Sequence, residues 1–178
     1  AQRASPVTLN PVIAADAPSR EVIRRMHADL ISINRLTQKT ESALAASWKV
    51  SRDGRQIEVE LRKGVKFSDG HPFDASDVVF TFETYLDPAS RSPQRDLLLL
   101  HGKPVQVKML GSHKLRFDLP EPYAVAERLF DSVAILPRHL LEPAAKAKRI
   151  HEVWTLNSKP AEIAGLGPFR FKSNVPGS

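Results

Sequence analysis

Apolar and polar residues alternate in two parts of the chain that read as β-hairpins. Ile57, Val59 and Leu61 alternate with polar neighbours after the dipeptide Asp53-Gly54. A period of two places the apolar side chains on one face of a strand. Asp-Gly between two such segments is a strong hairpin signal. The same alternation on either side of residues 111–113 predicts a second hairpin.

Helical spacing of apolar residues follows the first hairpin. Asp74 is a suitable N-cap, and Asp77 adds a carboxylate to the first turn, where the helix dipole favours it. Apolar residues then recur at helical spacing until Asp87-Pro88, where proline ends the helix.

The rest of the chain also gives predictions. Before the first hairpin we predict a helix over 18–30, a strand over 31–33 and a polar connection over 36–42. After the second hairpin we predict a helix over 123–130 with Val125, Leu129 and Phe130 inward, a buried strand over 133–136, and a helix from Pro137 with an exposed part over 142–149. A helical turn at Trp154 and a strand with Phe169 and Phe171 complete the predicted elements.

Composition limits the class of protein. A chain of 178 residues with 42% hydrophobic residues fits one domain, or slightly more, with a real core. It has no cysteine, which excludes disulfides and thiolate chemistry. We expect no membrane span, because no apolar run approaches the ~20 residues needed. We also expect no signal peptide in this sequence.

The net charge of +6 raises the possibility of nucleic-acid binding. Basic and acidic residues are mixed, however, and the densest basic groups lack interleaved aromatic residues that could stack on bases. We therefore expect no nucleic-acid partner and interpret these groups as solvated helical faces. The two groups are Arg20/Arg24/Arg25 and Lys146/Lys148/Arg149.

No recognisable catalytic or metal-binding pattern occurs. No pair among the six histidines has zinc-site spacing, and His-Glu-x-x-His, Gly-x-Ser-x-Gly and phosphate-loop motifs are absent. Asp69, Asp74 and Asp77 are interpreted as turn or cap residues. We therefore expect no catalytic residues, no metal site and no cofactor, and a protein that is not an enzyme.

The segment from Trp48 to Pro88 resembles the signature region of the family 5 extracellular solute-binding proteins, the peptide and nickel receptors of ABC importers. The resemblance extends along nearly the whole chain, and Asp74 departs from it where the family usually carries Thr, also a good N-cap. The matching positions are Trp48, Asp53-Gly54, Leu61-Arg62, Gly64 to Phe67, Asp69-Gly70, Pro72, Ala75, Asp77-Val78, Leu9-Asn10-Pro11, Leu119 to Tyr123 and Gly165 to Pro168.

The resemblance implies a fold and a domain division. The expected fold is α/β (α+β), with a mixed, largely antiparallel sheet from two hairpins and packed helices, as in the small lobe of a type II periplasmic-binding-protein-like fold. Residues 1–35 would be a first-lobe-like segment and helix, 36–160 the small α/β domain, and 161–178 a strand returning to the first lobe. Full receptors are much longer, so the chain is expected to be a fragment lacking the large C-terminal lobe.

The implied function is capture of peptides or similar small solutes for an ABC permease, in the periplasm or outside the cell, with a lipoprotein anchor possible in the full-length protein. In the family, the segment after Leu-Asn-Pro runs along the ligand cleft, so Ala14, Ala15 and Asp16 are the candidate substrate-binding residues. An ordinary surface loop is the competing interpretation. The alternative function is a ligand-sensing domain of a transcriptional regulator or another interaction module. The fragment alone should bind the natural ligand weakly or not at all.

Overall fold

The computed structural model describes residues 5–34, 36–123, 125–131 and 133–174. Within these ranges, α1, α2 and α3 span Ala17–Met26, Ala75–Leu86 and Arg138–Lys146. The strands β1 to β8 span Ile31–Ile33, Thr40–Ser42, Ala45–Val50, Gln56–Leu61, Leu99–Leu100, Lys103–Pro104, Gln106–Gly111 and Lys114–Asp118. The described ranges contain no helix long and apolar enough to cross a membrane.

The two predicted hairpins form one antiparallel sheet in the order β3-β4-β8-β7. Val59 of β4 lies opposite Trp48 of β3 and Leu115 of β8. The alternating apolar side chains of β4 and β8 are buried, and Phe117 packs edge-to-face on Phe82 of α2, with ring centroids 5.0 Å apart. The expected fold class, with a largely antiparallel sheet and packed helices, is therefore confirmed.

The other face of the sheet is charged. Lys114 Nζ lies 2.9 Å from Glu58 Oε2, and Lys108 Nζ lies 2.8 Å from Asp118 Oδ2. Such partly or fully solvated pairs contribute little to stability, because water screens their attraction. These charged side chains keep this face of the sheet in contact with solvent, and the hydrophobic core lies on the helix side of the sheet.

Helix α2 begins as predicted. Asp74 is its N-cap and accepts a hydrogen bond from Ser76 N–H at 2.7 Å. Asp74 N–H in turn donates to Asp77 Oδ2 at 3.0 Å. This reciprocal arrangement satisfies backbone donors that a helix start leaves without partners.

Two polar side chains of α2 attach the segment before α3. Leu136 N–H donates to Thr81 Oγ1 at 2.9 Å, and Arg138 N–H donates to Asp77 Oδ1 at 3.0 Å. Thr81 is fully buried and Asp77 nearly so. Buried donors of this kind need partners, so these bonds fix residues 136–138 against α2.

Helix α1 is shorter than predicted. It ends at Met26 instead of continuing to residue 30, and His27 has an extended backbone. Gly167 N–H donates to Met26 O at 2.9 Å, and Phe169 N–H donates to Arg25 O at 3.1 Å. The C-terminal part of the chain thus satisfies carbonyls that a longer helix would have used. β1 then begins at Ile31 as predicted, and its partner β2 lies within the predicted polar connection.

Two predictions for residues 123–136 are wrong. The region predicted as a helix over 123–130 has a 3-10 helix at Ala126–Phe130, and Val125 is 43% exposed instead of inward. The segment predicted as a strand at 133–136 is buried but belongs to no strand among the described residues. Ile135 N–H instead donates to Ala28 O at 3.1 Å, so isolated contacts replace a ladder.

The C-terminal part also differs from the prediction. Trp154 is buried with φ +56 and donates its Nε1–H to Glu162 O at 2.7 Å, and it follows a 3-10 turn at Ile150–Glu152 instead of anchoring a helical turn. Residues 161–174 contain no β-strand, and Phe169 is 59% exposed. The predicted turn at Val175-Pro176-Gly177 lies outside the described residues.

Candidate functional site

A cavity of about 200 Å³ opens between α1, the C-terminal part of α2 and four segments, around residues 11–14, 27–29, 94–97 and 131–134. Its wall combines apolar side chains with a small number of charged and hydrogen-bonding groups, a mixture typical of small-molecule sites. The lining residues are Pro11, Ala14, Arg20, Ile23, Arg24, His27, Asp29, Tyr85, Gln94, Leu97, Asp131 and Ala134.

The segment that contains Pro11 and Ala14 is fixed by hydrogen bonds of the Asn10 side chain. Asn10 is fully buried and donates its side-chain amide to Ile150 O at 2.7 Å and to Val153 O at 3.2 Å. Its side-chain oxygen accepts from Val12 N–H at 2.9 Å. A buried amide with these partners gives a short loop a fixed path, so this wall of the cavity is preorganised.

Two carboxylates belong to the cavity wall. Burial and the neighbouring Asp131 carboxylate raise the pKa of Asp29 to about 7, although Arg24 acts in the opposite direction. Asp131 Oδ1 accepts a hydrogen bond from Ile33 N–H at 2.8 Å, which orients it. Asp29 therefore carries a proton for much of the time near neutral pH.

His27 is 4% exposed and stacks on Trp154, with ring centroids 5.4 Å apart. Burial lowers the pKa of His27 to about 4, so the imidazole is neutral at physiological pH. Neither ring nitrogen makes a hydrogen bond of ordinary geometry with the described residues, although the backbone of Ile135 acts against the effect of burial on the pKa of His27. A buried polar side chain in this state is uncommon and calls for an explanation.

Tyr85 is the other buried polar group of the wall. Its side chain is 1% exposed, and burial raises the pKa of its phenol above the ordinary range, with Asp29 contributing in the same direction. The phenol stays neutral at physiological pH. Arg20 and Arg24, which are exposed residues of α1, add positive charge to the cavity wall.

The three predicted binding residues occupy different positions. Ala14 is buried and lines the cavity. Ala15 is exposed and is not among the lining residues. Asp16 is the N-cap of α1, and its carboxylate accepts a hydrogen bond from Ser19 N–H at 2.8 Å. This carboxylate therefore stabilises the start of the helix.

Sequence reasoning missed His27, Asp29, Tyr85 and Asp131 as members of one site. They are separated by up to about a hundred residues, so no local spacing joins them. One signal was available: two ionisable residues interrupt the otherwise apolar run from Met26 to Ile31. Polar residues within a segment destined for burial often mark a functional site.

Two other histidines lie together away from the cavity wall. His139 Nε2 lies 2.6 Å from Asp69 Oδ2, and the rings of His71 and His139 stack with centroids 3.8 Å apart. This contact joins the turn at Asp69 to the first turn of α3. Among the described residues, no group of three or more His, Cys, Asp or Glu is arranged to hold a metal ion.

The antiparallel sheet with its packed helices defines a class of fold, a lobe of a solute-binding protein. Comparison with known proteins gives the family. The model of the bacterial extracellular solute-binding proteins, family 5 Middle, matches residues 39–178, and the chain belongs to this family.

Curated relatives agree with this assignment. The chain is 27% identical over 176 residues to a probable ABC transporter-binding protein of Deinococcus radiodurans, covering 96% of this chain and 29% of the relative. It is 33% identical over 145 residues to di/tripeptide-binding protein 2 of Pseudomonas aeruginosa, covering 72% of this chain and 26% of the relative. The chain thus spans less than a third of the length of these relatives.

A solved structure agrees as well. The oligopeptide-binding protein AppA of Bacillus subtilis, in complex with a nonapeptide, superposes with a TM-score of 0.82 at 27% identity. The match covers 97% of this chain and 33% of AppA. The similarity therefore covers the fold of nearly the whole chain.

Proposed function

We propose that this chain forms one wall of the ligand cleft in a substrate-binding receptor of an ABC importer, and that the receptor captures peptides or similar small solutes. The observation that carries the proposal is the cavity beside the fixed Asn10–Ala14 segment, in a chain of the solute-binding family. Di/tripeptide- and oligopeptide-binding relatives support peptides as the solute class.

Ala14, Ala15 and Asp16 remain the proposed substrate-binding residues, with different roles. Ala14 is small and lines the cavity, so it leaves room for a ligand. Ala15 presents an exposed backbone next to it, which can hydrogen-bond a peptide main chain. Asp16 contributes by fixing the start of α1, and with it the position of Arg20.

The working cycle would be capture and delivery. A second lobe outside this chain would close on the solute, and the closed receptor would then dock on a membrane permease in the periplasm or at the cell surface. The cavity needs no bond-making chemistry for this role, so we propose a receptor and not an enzyme. Residues 1–35, 36–160 and 161–178 remain our proposed division of the chain.

Nuclear magnetic resonance can test the location of binding. Titration of the isotope-labelled chain with a mixture of tripeptides should shift amide signals at residues around the cavity, such as Ala14, Gln94 and Asp131. Affinity should be weak, because one lobe provides only part of the contacts. Shifts confined to another surface, or micromolar affinity of the chain alone, would contradict the proposal.

A further inference from the structure

β7 lies at an edge of the four-stranded sheet. Val105, just before β7, donates its N–H to Leu98 O at 3.0 Å and so directs its backbone away from β8. Backbone direction alternates along an antiparallel strand, so Val107 and Met109 also turn their N–H and C=O groups away from β8. No described residue outside β8 forms a hydrogen bond with these groups. An edge of this kind can accept another strand.

A groove, which we call the edge groove, runs between β7 and α2. One half has a volume of about 460 Å³ and lies beside Leu86, and the other half, of about 270 Å³, lies beside Val79 and Met109. Glu83 lines both halves. The three helix residues recur at helical spacing on one side of α2, whereas Tyr85, which lines the solute cavity, lies on the opposite side. The edge groove is therefore separate from the solute cavity.

Glu83 is an exposed acidic residue at the centre of the edge groove, and its carboxylate makes no hydrogen bond or ion pair with any described residue. Apolar side chains flank it: Met109 is 57% exposed, and Val79 and Leu86 are half-buried. The other charged side chains of the lining each have a partner, in the pairs Arg138–Glu142, Lys108–Asp118 and Arg95–Leu86 O. An occupant with a basic side chain between two apolar ones would therefore complement the groove.

We propose that the edge groove binds a short extended segment of a partner protein, which adds to the sheet beside β7. This inference goes beyond solute capture and concerns a different surface of the chain. Alternate side chains of an added strand face α2. The first and fifth residues of the segment are apolar and fill the two halves of the groove, and the third is lysine or arginine and pairs with Glu83. Four residues of strand advance about 13 Å, close to the roughly 15 Å between Ser76 and Leu86 along α2.

A second copy of this chain fits the edge groove less well than a short segment. If Val107 and Met109 of two copies bonded to each other, the two Lys108 side chains would lie directly opposite, and like charges in that position destabilise a sheet. A bulge between Met109 and Gly111 also interrupts regular pairing at the end of β7. Charges and bulges of this kind keep sheet edges from associating with each other. A short segment can pair with Val107 and Met109 and place an uncharged residue opposite Lys108.

The test uses the isotope-labelled chain and three peptides with blocked ends. Acetyl-Leu-Thr-Lys-Thr-Leu-amide has the expected pattern, a second peptide has glutamate in place of lysine, and a third is the lysine peptide with its inner amides N-methylated. We expect the lysine peptide to cause saturable shifts of the amide signals of Glu83, Val107 and Met109.

The other two peptides separate the charge contact from the backbone contact. The glutamate peptide should bind about fivefold more weakly than the lysine peptide, because attraction to Glu83 becomes repulsion. The N-methylated peptide should cause no shifts at the edge groove, because its inner amides cannot donate hydrogen bonds to β7. Both comparisons use the wild-type chain, so they do not depend on the folding of a variant.

A change of charge at position 83 identifies the pairing residue. Glu83→Lys should reverse the preference, so that the glutamate peptide binds more tightly than the lysine peptide. Glu60→Lys is the matched control, because Glu60 is exposed on β4 outside the edge groove, and this variant should keep the wild-type preference. A thermal transition within the wild-type range shows that each variant is folded.

Three results would overturn this inference. The first is the absence of shifts at the edge groove with the lysine peptide, or shifts confined to the solute cavity. The second is the same peptide preference in Glu83→Lys and Glu60→Lys. The third is a dimer in sedimentation velocity that the lysine peptide dissociates, which would assign the edge groove to a second copy of the chain. The solute-capture function is tested separately, by the tripeptide titration.

Discussion

At the scale of single residues, Thr81 has a stabilising role that its identity alone does not reveal. Its hydroxyl donates to Asp77 O at 2.6 Å and accepts from Leu136 N–H at 2.9 Å, with no exposure to solvent. We expect Thr81→Val to lower the free energy of unfolding by about 1–3 kcal/mol, because the buried Leu136 N–H loses its partner.

Denaturant unfolding measures this loss, and Thr84→Val provides the matched control. Thr84 is also buried on α2, but its hydroxyl makes no hydrogen bond with the described residues. The control should therefore change stability much less. Equal losses in the two variants would show that the Thr81–Leu136 hydrogen bond contributes little.

The titrations of His27 and Asp29 at the cavity should have opposite effects on the pH dependence of stability. His27 has a folded pKa of about 4 against an ordinary value of 6.5, so the unfolded chain binds the extra proton and stability falls as the pH drops through this window. Asp29 has a folded pKa of about 7 against 3.8, so the folded chain holds the extra proton and stability falls as the pH rises. Between about pH 4.5 and 6 the two contributions nearly cancel.

In Asp29→Asn, the effect of His27 on the pH dependence of stability should become measurable, because the opposing titration of Asp29 is removed. Relative to wild type, the slope of unfolding free energy against pH should become more positive by up to about 1.4 kcal/mol per pH unit in this window. Urea unfolding at several pH values measures the slope, and other titrating groups cancel in the comparison. Parallel wild-type and variant curves would mean that the pKa of Asp29 is not raised.

At the scale of elements, the C-terminal segment depends on glycine where it crosses the end of α1. A Cβ atom at Gly165 would lie 1.9 Å from Met26 O, which no real Cβ tolerates. We expect Gly165→Ala to destabilise the chain by about 1–3 kcal/mol, since the segment must shift away and loses its hydrogen bonds to α1.

Gly111→Ala is the matched control for this prediction. Gly111, at the end of β7, has no atom within 4 Å of a built Cβ, and its φ lies outside the left-handed region. Thermal unfolding should therefore change little in the control. A Gly165→Ala variant as stable as Gly111→Ala would show that the crossing adapts without cost.

Elements governed by local rules could be predicted from the sequence, and those governed by distant contacts could not. The two hairpins and α2 follow from alternation, turn dipeptides and a cap, which act within a few residues. The end of α1 is set by Gly167 and Phe169, more than a hundred residues away. Residues 133–136 are buried as expected, but their backbone partners lie on other segments and form no ladder.

At the scale of the whole molecule, the candidate site is a product of the fold. Of the three candidate substrate-binding residues that the family resemblance implied, only Ala14 lines the cavity. His27, Asp29, Tyr85 and Asp131 become neighbours only when α1, α2 and the 131–134 segment pack together. The cavity wall thereby combines acidic and basic side chains that come from distant parts of the sequence.

The most direct test of this account is the affinity of tripeptides for Ala14→Leu, compared with Ala46→Leu. Leucine at position 14 adds three carbon atoms to a cavity-lining position, whereas Ala46 is an exposed residue of β3 outside the lining. With both variants folded, the account predicts that Ala14→Leu loses tripeptide binding about tenfold or more, because the added volume excludes the ligand, while Ala46→Leu binds as wild type. Equal binding by the two variants would contradict the assignment of this cavity as the solute site.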